Sequence, residues 1–447
     1  MASRHRNERG AVLVYVAIAM VALLAFSALT IDAGVKWVAR GQAQNAADAG
    51  ALAGAVALSF DDPNDLSNTG VAKQTARNYA LANAVWGVAP NVDITTDVTF
   101  PPCPDGSEDL CIKVDVYRNQ ARQNPLPTFF ARIVGVFEQG VVATATAQVN
   151  TGTATDCLKP WAVVDRWDEV DGVEREYPAP DPDFNYGSTF DKYPRQRNDP
   201  YEDDYYVPPT ADSPGTGWTV LPGDIGRQFA IRTDPPGNNA VSSGWYRSLD
   251  LPRVDRGNLG GDAYGENIVS CNGYPVSIAA PDTVCPEPSA ITSHEDKVYW
   301  AARGCVRVQT GIIQGQTVSG IEEIFARDPA ARWNPSMNGG AGGVAGSCCT
   351  PSPRIVPIAV MDPNAYLSVD PSGSGGVIKV VNIFGFFIEG MGDVNDDGTI
   401  SFNPDDPFNN RNKVVVGRIM TIPGLALNGA GQINQNAAFL KTIQLVR

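Results

Sequence analysis

Oxygen-bearing side chains crowd one stretch of this sequence. Asp393, Asn395, Asp397, Thr399 and Ser401 take alternate positions, with Gly398 between them. Alternation aims every second oxygen at one point, and Ca²⁺ demands six to eight oxygens at once. The first, third, fifth, seventh and ninth places match the start of a calcium loop, and a glycine stands at the sixth. The twelfth place is Pro404, so Asp405 or Asp406 would have to close the site. The expected cofactor is Ca²⁺, held by Asp393, Asn395, Asp397, Thr399, Ser401 and Asp405. The flanks read as strand and loop, not as two helices, so it is no EF-hand. An Asx-rich turn between strands is the plain alternative.

Other chemistry is scarce. Only two histidines occur, His5 and His294. A histidine triad has one candidate base and a multi-histidine metal site has almost no material. His294-Glu295-Asp296 has no nucleophile in a recognisable setting and reads as a surface turn. Asp370-Pro371-Ser372-Gly373-Ser374 has the form of a metal-dependent adhesion site. Too little chain follows it for such a domain, and Gly375-Gly376-Val377-Ile378 reads as a strand, so it is a hairpin turn. Gly340 to Ala345 has the shape of a dinucleotide fingerprint, yet no strand precedes it and no helix follows. No catalytic constellation is present, and the chain is expected not to be an enzyme.

All eight cysteines lie between Cys103 and Cys349. An even number without a metal pattern fits disulfides in an oxidising compartment. Cys103 and Cys111 bracket a Pro-Asp-Gly turn and are expected to pair. Cys271 and Cys285 are the next local pair. Cys157, Cys305, Cys348 and Cys349 have no assigned partners, except that adjacent cysteines rarely bond to each other.

The elements that must position these groups begin with an apolar run. Ala11 to Ile31 is 21 residues without a charge. As a helix it reaches ~31 Å, enough to cross a bilayer core. Arg4, Arg6 and Arg9 precede it and Asp32 follows. The positive flank predicts a cytoplasmic N-terminus and an extracytoplasmic remainder. A cleaved signal peptide is the rival reading. Its apolar region would be shorter, although Ala25 and Ala28 leave a cleavage site open.

The helical pattern continues beyond the run. Val35 to Leu58 has no proline and recurrent alanine, the best helix former. Ala47, Ala51 and Ala55 share a face, as do Gly50 and Gly54. Such small residues admit a second backbone. The face could serve helix-mediated self-association, or it could pack on the protein's own sheet.

Further along, Thr69–Trp86 reads as a second helix. Val92–Phe100 and Ile112–Tyr117 alternate as strands, Pro127–Val136 as a short helix and Gly140–Val149 as a strand. A long N-terminal helix leading to a small sheet is a pilin-like α+β arrangement. From Thr151 on, short apolar runs separated by Gly and Pro predict a β-rich region: Ile225–Arg232, Cys305–Ile313, Ile355–Met361, Val377–Ile388 and Lys413–Ile422. One helix is expected at Val318–Arg327. Residues 165–206 hold 13 acids, 5 bases and five prolines, which predicts a solvated acidic loop. There Asp181, Asp183, Asn185 and Asp191 could present oxygens together. The whole chain carries a net charge of −15, against a nucleic-acid partner.

Glu8-Arg9-Gly10, the apolar run, Asp32-Ala33-Gly34 and the Gln42–Ala55 block with its Asn45-Ala46-Ala47-Asp48-Ala49 core together resemble the N-terminus of TadE/TadG-like proteins. These belong to the Tad system that assembles Flp-type pili. Pro127-Thr128-Phe129-Phe130-Ala131-Arg132-Ile133-Val134-Gly135 and Ala143–Ala147 are similar to TadG-like chains as well. So, more faintly, are Cys157–Trp161 and Phe386–Glu389. Processed pilin precursors carry Glu five residues after the cleavage-site Gly. Here Tyr15 stands five after Gly10. The departure favours a permanently anchored TadG-like component.

The expected fold is therefore a single-pass membrane protein. Residues 1–9 form a cytoplasmic tail and 10–31 a transmembrane helix. Residues 32–150 form a TadG-like, pilin-like α+β region, and 151–447 a β-rich extracytoplasmic domain. The resemblance implies a non-catalytic component of a Tad/Flp pilus assembly or adhesion apparatus, with the membrane and other Tad/Flp proteins as partners. The alternative is an extracytoplasmic, calcium-assisted adhesin or binding protein outside a pilus system.

Overall fold

The computed structural model describes residues 9–60, 65–105, 110–169, 188–190, 204–232, 241–252, 261–309, 314–337, 340, 342–349, 351–368, 376–395, 399–408, 414–423 and 426–446. The chain divides into two compact units. One holds Met1–Ala55, Leu66–Gln148 and Gln444–Arg447; the other holds Val56–Asp65 and Val149–Ile443.

The first unit is organised by α1 (Arg9–Phe60), one unbroken helix of 52 residues. No proline interrupts it and alanine dominates its second half, where helix propensity is highest. Ala39, Ala43, Ala46, Ala47, Ala51 and Ala55 are fully buried. α2 (Val71–Ala82) buries Ala72, Ala76 and Ala80, again four apart. The two helices meet at backbone distance. A Cβ on Gly50 would lie 2.9 Å from the Ala76 carbonyl oxygen and 3.3 Å from Val114. The small-residue face is thus filled by α2 and the sheet of its own unit.

That sheet starts with β1 (Val98–Thr99) and β2 (Leu110–Arg118), antiparallel with Val98 opposite Val114. The strand expected over Val92–Phe100 shrinks to β1. The Asp93 carboxylate accepts the Thr95 and Thr96 amides at 2.8 and 3.0 Å, and this Asx turn takes residues 94–97 out of extended structure. β3 (Leu126–Pro127) and β4 (Glu138–Gln139) pair antiparallel, Leu126 opposite Gln139, and carry a loop between them. Pro127–Val136 was expected to be helical. Only Ala131–Val134 is, as one 3₁₀ turn that Gly135 ends with φ 86°. β5 (Val141–Thr151) lies next to β2, and its first residues alternate buried and exposed.

The second unit is β-rich. Its main sheet contains β6 (Trp161–Val164), β7 (Gln228–Arg232) and β8 (Tyr246–Ser248). Three helices follow in the chain, α3 (Gly261–Val269), α4 (His294–Ala301) and α5 (Gln314–Arg327), with β9 (Cys305–Arg307) before α5. The sheet continues with β10 (Ile355–Met361), β11 (Val377–Val394), β12 (Ile400–Ser401) and β13 (Val414–Met420). The order is β8-β6-β10-β11-β13-β7, with β9 and β12 on opposite ends of β11. Among the described strands of this sheet, β6 and β10 run parallel and the other neighbours antiparallel. β14 (Ile422–Pro423) pairs in parallel with β15 (Leu440–Val446), Ile422 opposite Leu440.

β11 is buried along nearly its whole length, which is why its sequence is an apolar run without alternation. Phe229, Phe384, Phe386 and Phe439 meet edge to face around it. Arg354 is buried too. Its guanidinium stacks between Phe325 and Phe387, at 3.9 and 4.8 Å, and donates to the carbonyls of Asp328, Ala331, Ile388 and Glu389. A buried cation is tolerable because its donors are satisfied. His294, expected in a surface turn, instead starts α4. Ser293 and Asp296 form a reciprocal capping box that nucleates the helix there.

Candidate functional site: the Asp32 cradle

Asp32 is the first residue after the apolar run, and it is buried. α1 points its carboxylate at the loop between β3 and β4. Three consecutive backbone amides donate to it: Phe129 to Oδ1 at 2.7 Å, Phe130 to Oδ2 at 3.1 Å and Ala131 to Oδ2 at 2.6 Å. Gln139 Nε2 donates to the Asp32 carbonyl at 3.4 Å and to the Pro127 carbonyl at 3.3 Å. The amides belong to the start of the 3₁₀ turn, where donors lack intrahelical partners and favour an anion.

The carboxyl is held below the usual carboxylate range. The Phe129 N–H contributes most, with Ala131 and Phe130 adding to it, while burial acts in the opposite direction. At neutral pH this is an anion fully engaged by donors. It suits a clamp and not a proton donor.

The loop supports itself. Thr128 Oγ1 donates to the Val136 carbonyl at 2.7 Å, the Val136 amide to Ala131 at 2.9 Å and the Gly135 amide to Arg132 at 3.1 Å. Asp32 thus ties the middle of α1 to a preformed hairpin loop 97 residues away in sequence.

Residues 10–57, which include Asp32 and the alanine-rich face, match the Tad family, described as "Putative Flp pilus-assembly TadE/G-like". The N-terminal segment is TadE/G-like. No curated protein and no solved structure matches the chain.

Beyond the TadE/G-like segment, the residues expected to bind calcium lie at the far end of β11. Asp393 and Ser401 are opposite each other in the β11–β12 pair. The Asn395 amide donates to the Thr399 carbonyl, and Asn395 Nδ2 to Thr399 Oγ1, both at 2.8 Å. Asp405 is exposed, and its amide donates to Asn403 Oδ1 at 3.1 Å. Asp397 lies outside the described residues, as do Asp370–Ser374 and the four oxygen-bearing residues of the acidic stretch. Among the described residues, no three His, Cys, Asp or Glu side chains gather as a metal set.

The cysteines pair as Cys103–Cys111, Cys157–Cys271, Cys285–Cys305 and Cys348–Cys349. The expected local pair of Cys271 with Cys285 is therefore corrected. The chain leaving α3 runs beside residues 156–159: Lys159 Nζ donates to the Ser270 carbonyl and the Gly273 amide to Asp156. That brings Cys271 to Cys157, while Cys285 meets Cys305 at the start of β9. The adjacent Cys348 and Cys349 join each other, against expectation, so neither needs a distant partner.

Proposed function

We propose that the chain is a membrane-anchored, non-catalytic component of a Tad/Flp pilus assembly or adhesion apparatus. Its N-terminus would be cytoplasmic and its bulk extracytoplasmic. One observation carries the reading. α1 changes environment at Asp32 without a break in the helix: the described side chains from Val12 to Ile31 are exposed, and the alanine face beyond is buried. Α1 is long and apolar enough to cross a membrane. An exposed run of large apolar side chains is costly in water and at home in lipid. The TadE/G-like match over the same residues supports the pilus connection.

The partners in this reading are the membrane and other Tad/Flp proteins. The Gly50/Gly54 face is occupied within the unit and is not offered to a second copy. Reporter fusions after residue 60 test the topology: only an extracytoplasmic reporter should be active. A purified protein whose N-terminus starts near Leu29 would defeat the anchor. Deletion of the gene should abolish Flp-type pili or the adhesion they support. Intact pili in the deletion strain would leave the free-standing adhesin instead.

A further inference from the structure

We infer that the loop between β3 and β4 docks on the membrane surface beside the exit of α1, with Phe129, Phe130, Val136 and Phe137 in the interfacial layer. The inference rests on the proposed anchor. Asp32 follows Ile31, the last residue of the apolar run, and its carboxylate lies within 3.1 Å of the amides of Phe129, Phe130 and Ala131. The loop is therefore fixed at the level where the helix leaves the hydrocarbon.

Its composition fits that level. Phe129 is 52% exposed, Phe130 37%, Val136 48% and Phe137 63%. Four large apolar side chains thus stand exposed within nine residues of a loop that is tied to α1 at Asp32. On α1 itself Trp37, 84% exposed, stands about 7.5 Å beyond Asp32. Trp there matches the aromatic belt of membrane proteins. Lys36, Arg40 and Arg132 are also exposed, and cations at this depth face lipid phosphates.

The loop backbone fits as well. Groups that enter lipid must be hydrogen-bonded internally. Here Thr128, Ala131, Arg132, Gly135 and Val136 satisfy one another, and Asp32 takes three further amides. Little ordering remains for docking to impose. The occupant is thus the lipid surface around α1, in preference to a second copy or a protein partner.

The test uses the full chain in nanodiscs of phosphatidylethanolamine and phosphatidylglycerol. Single added cysteines at Val21, Tyr79, Phe129 and Phe137 carry a nitroxide, and collisions with oxygen and with a nickel chelate report depth. Oxygen collisions should dominate at 129 and 137, as at 21, and nickel collisions at 79. Nickel-dominated labels at 129 and 137 with an oxygen-dominated label at 21 would overturn the docking and leave the anchor intact. A nickel-dominated label at 21 would overturn the anchor itself. Labels at 129 and 137 that become shielded in detergent as protein concentration rises would point to a second copy and against lipid. A circular-dichroism spectrum unchanged from the parent guards against misfolding of the labelled chains.

Discussion

Gly54 of α1 faces Ala76 of α2 so closely that a Cβ added to Gly54 would lie 2.7 Å from the Ala76 Cβ. Ile112 Cδ1 would be equally near. Ile112 could turn aside, but the alanine methyl cannot. Gly54→Val should therefore destabilise the first unit by ~1–3 kcal/mol, the scale of overpacking. At Gly34 the space is open, and Gly34→Ala should hold or raise the melting temperature. A Gly54→Val chain that melts like the parent would mean that the helices do not meet there.

Removing the Asp32 carboxylate should release the loop. In Asp32→Ala the amides of Phe129, Phe130 and Ala131 should exchange with deuterium about tenfold faster, the scale of losing a capping carboxylate. The pH sign follows from the lowered carboxyl. Its stabilising effect is present above the ordinary carboxylate range and is lost as pH falls through and below about 4. Acid should loosen the loop in the parent and change little in Asp32→Asn.

Lys159 is buried, and burial, aided by the charge on Arg327, brings its ammonium down to about 7. The unfolded chain keeps that proton to about pH 10. Between those values the unfolded state binds more protons, so stability should rise with pH by up to ~1.4 kcal/mol per unit. Lys159→Met should flatten that slope in a pH series of chemical denaturation curves.

Peptide mapping without reductant should recover Cys157 with Cys271, and Cys285 with Cys305. The first bridge spans 114 residues. Its loss in a Cys157→Ser/Cys271→Ser chain should destabilise by up to ~5 kcal/mol on the chain-entropy account. A fragment joining Cys271 to Cys285 would contradict the pairing.

Calcium at Asp393, Asn395, Asp397, Thr399 and Ser401 is a proposal from their spacing. It expects the melting temperature to rise in millimolar Ca²⁺, by about 1.4 kcal/mol of stability at ten times the dissociation constant. The rise should vanish in Asp393→Ala/Asp397→Ala. A flat calorimetric titration would leave the hairpin to hydrogen bonds such as those joining Asn395 to Thr399.

The elements that one periodicity governs were legible. Ile355–Met361 has the bounds its apolar run predicted, and Ala47, Ala51 and Ala55, read as one helix face, are buried together. Signals that depend on side-chain hydrogen bonds were not. Asp93 turned a strand pattern into an Asx turn, and the Ser293/Asp296 box made a helix of a polar segment. The Asp32 cradle was half legible. Both Asp32 and the Pro127–Gly135 segment stood out as family-like, but nothing local to either shows that they touch. Of the two expected cysteine pairs, Cys103–Cys111 is found, and the other failed for the same reason. Proximity in sequence suggested 271 with 285, while the path of the chain after α3 decided otherwise.

α1 has one further consequence, in mechanical terms. Its 52 residues extend ~78 Å with no proline to act as a joint. In the proposed topology the half inside the bilayer and the half inside the first unit form one beam. The Asp32 clamp acts as a bracket at the point where the beam leaves its socket. A sideways pull on the first unit would then reach the membrane as a change of helix tilt, because no hinge lies between them to absorb it.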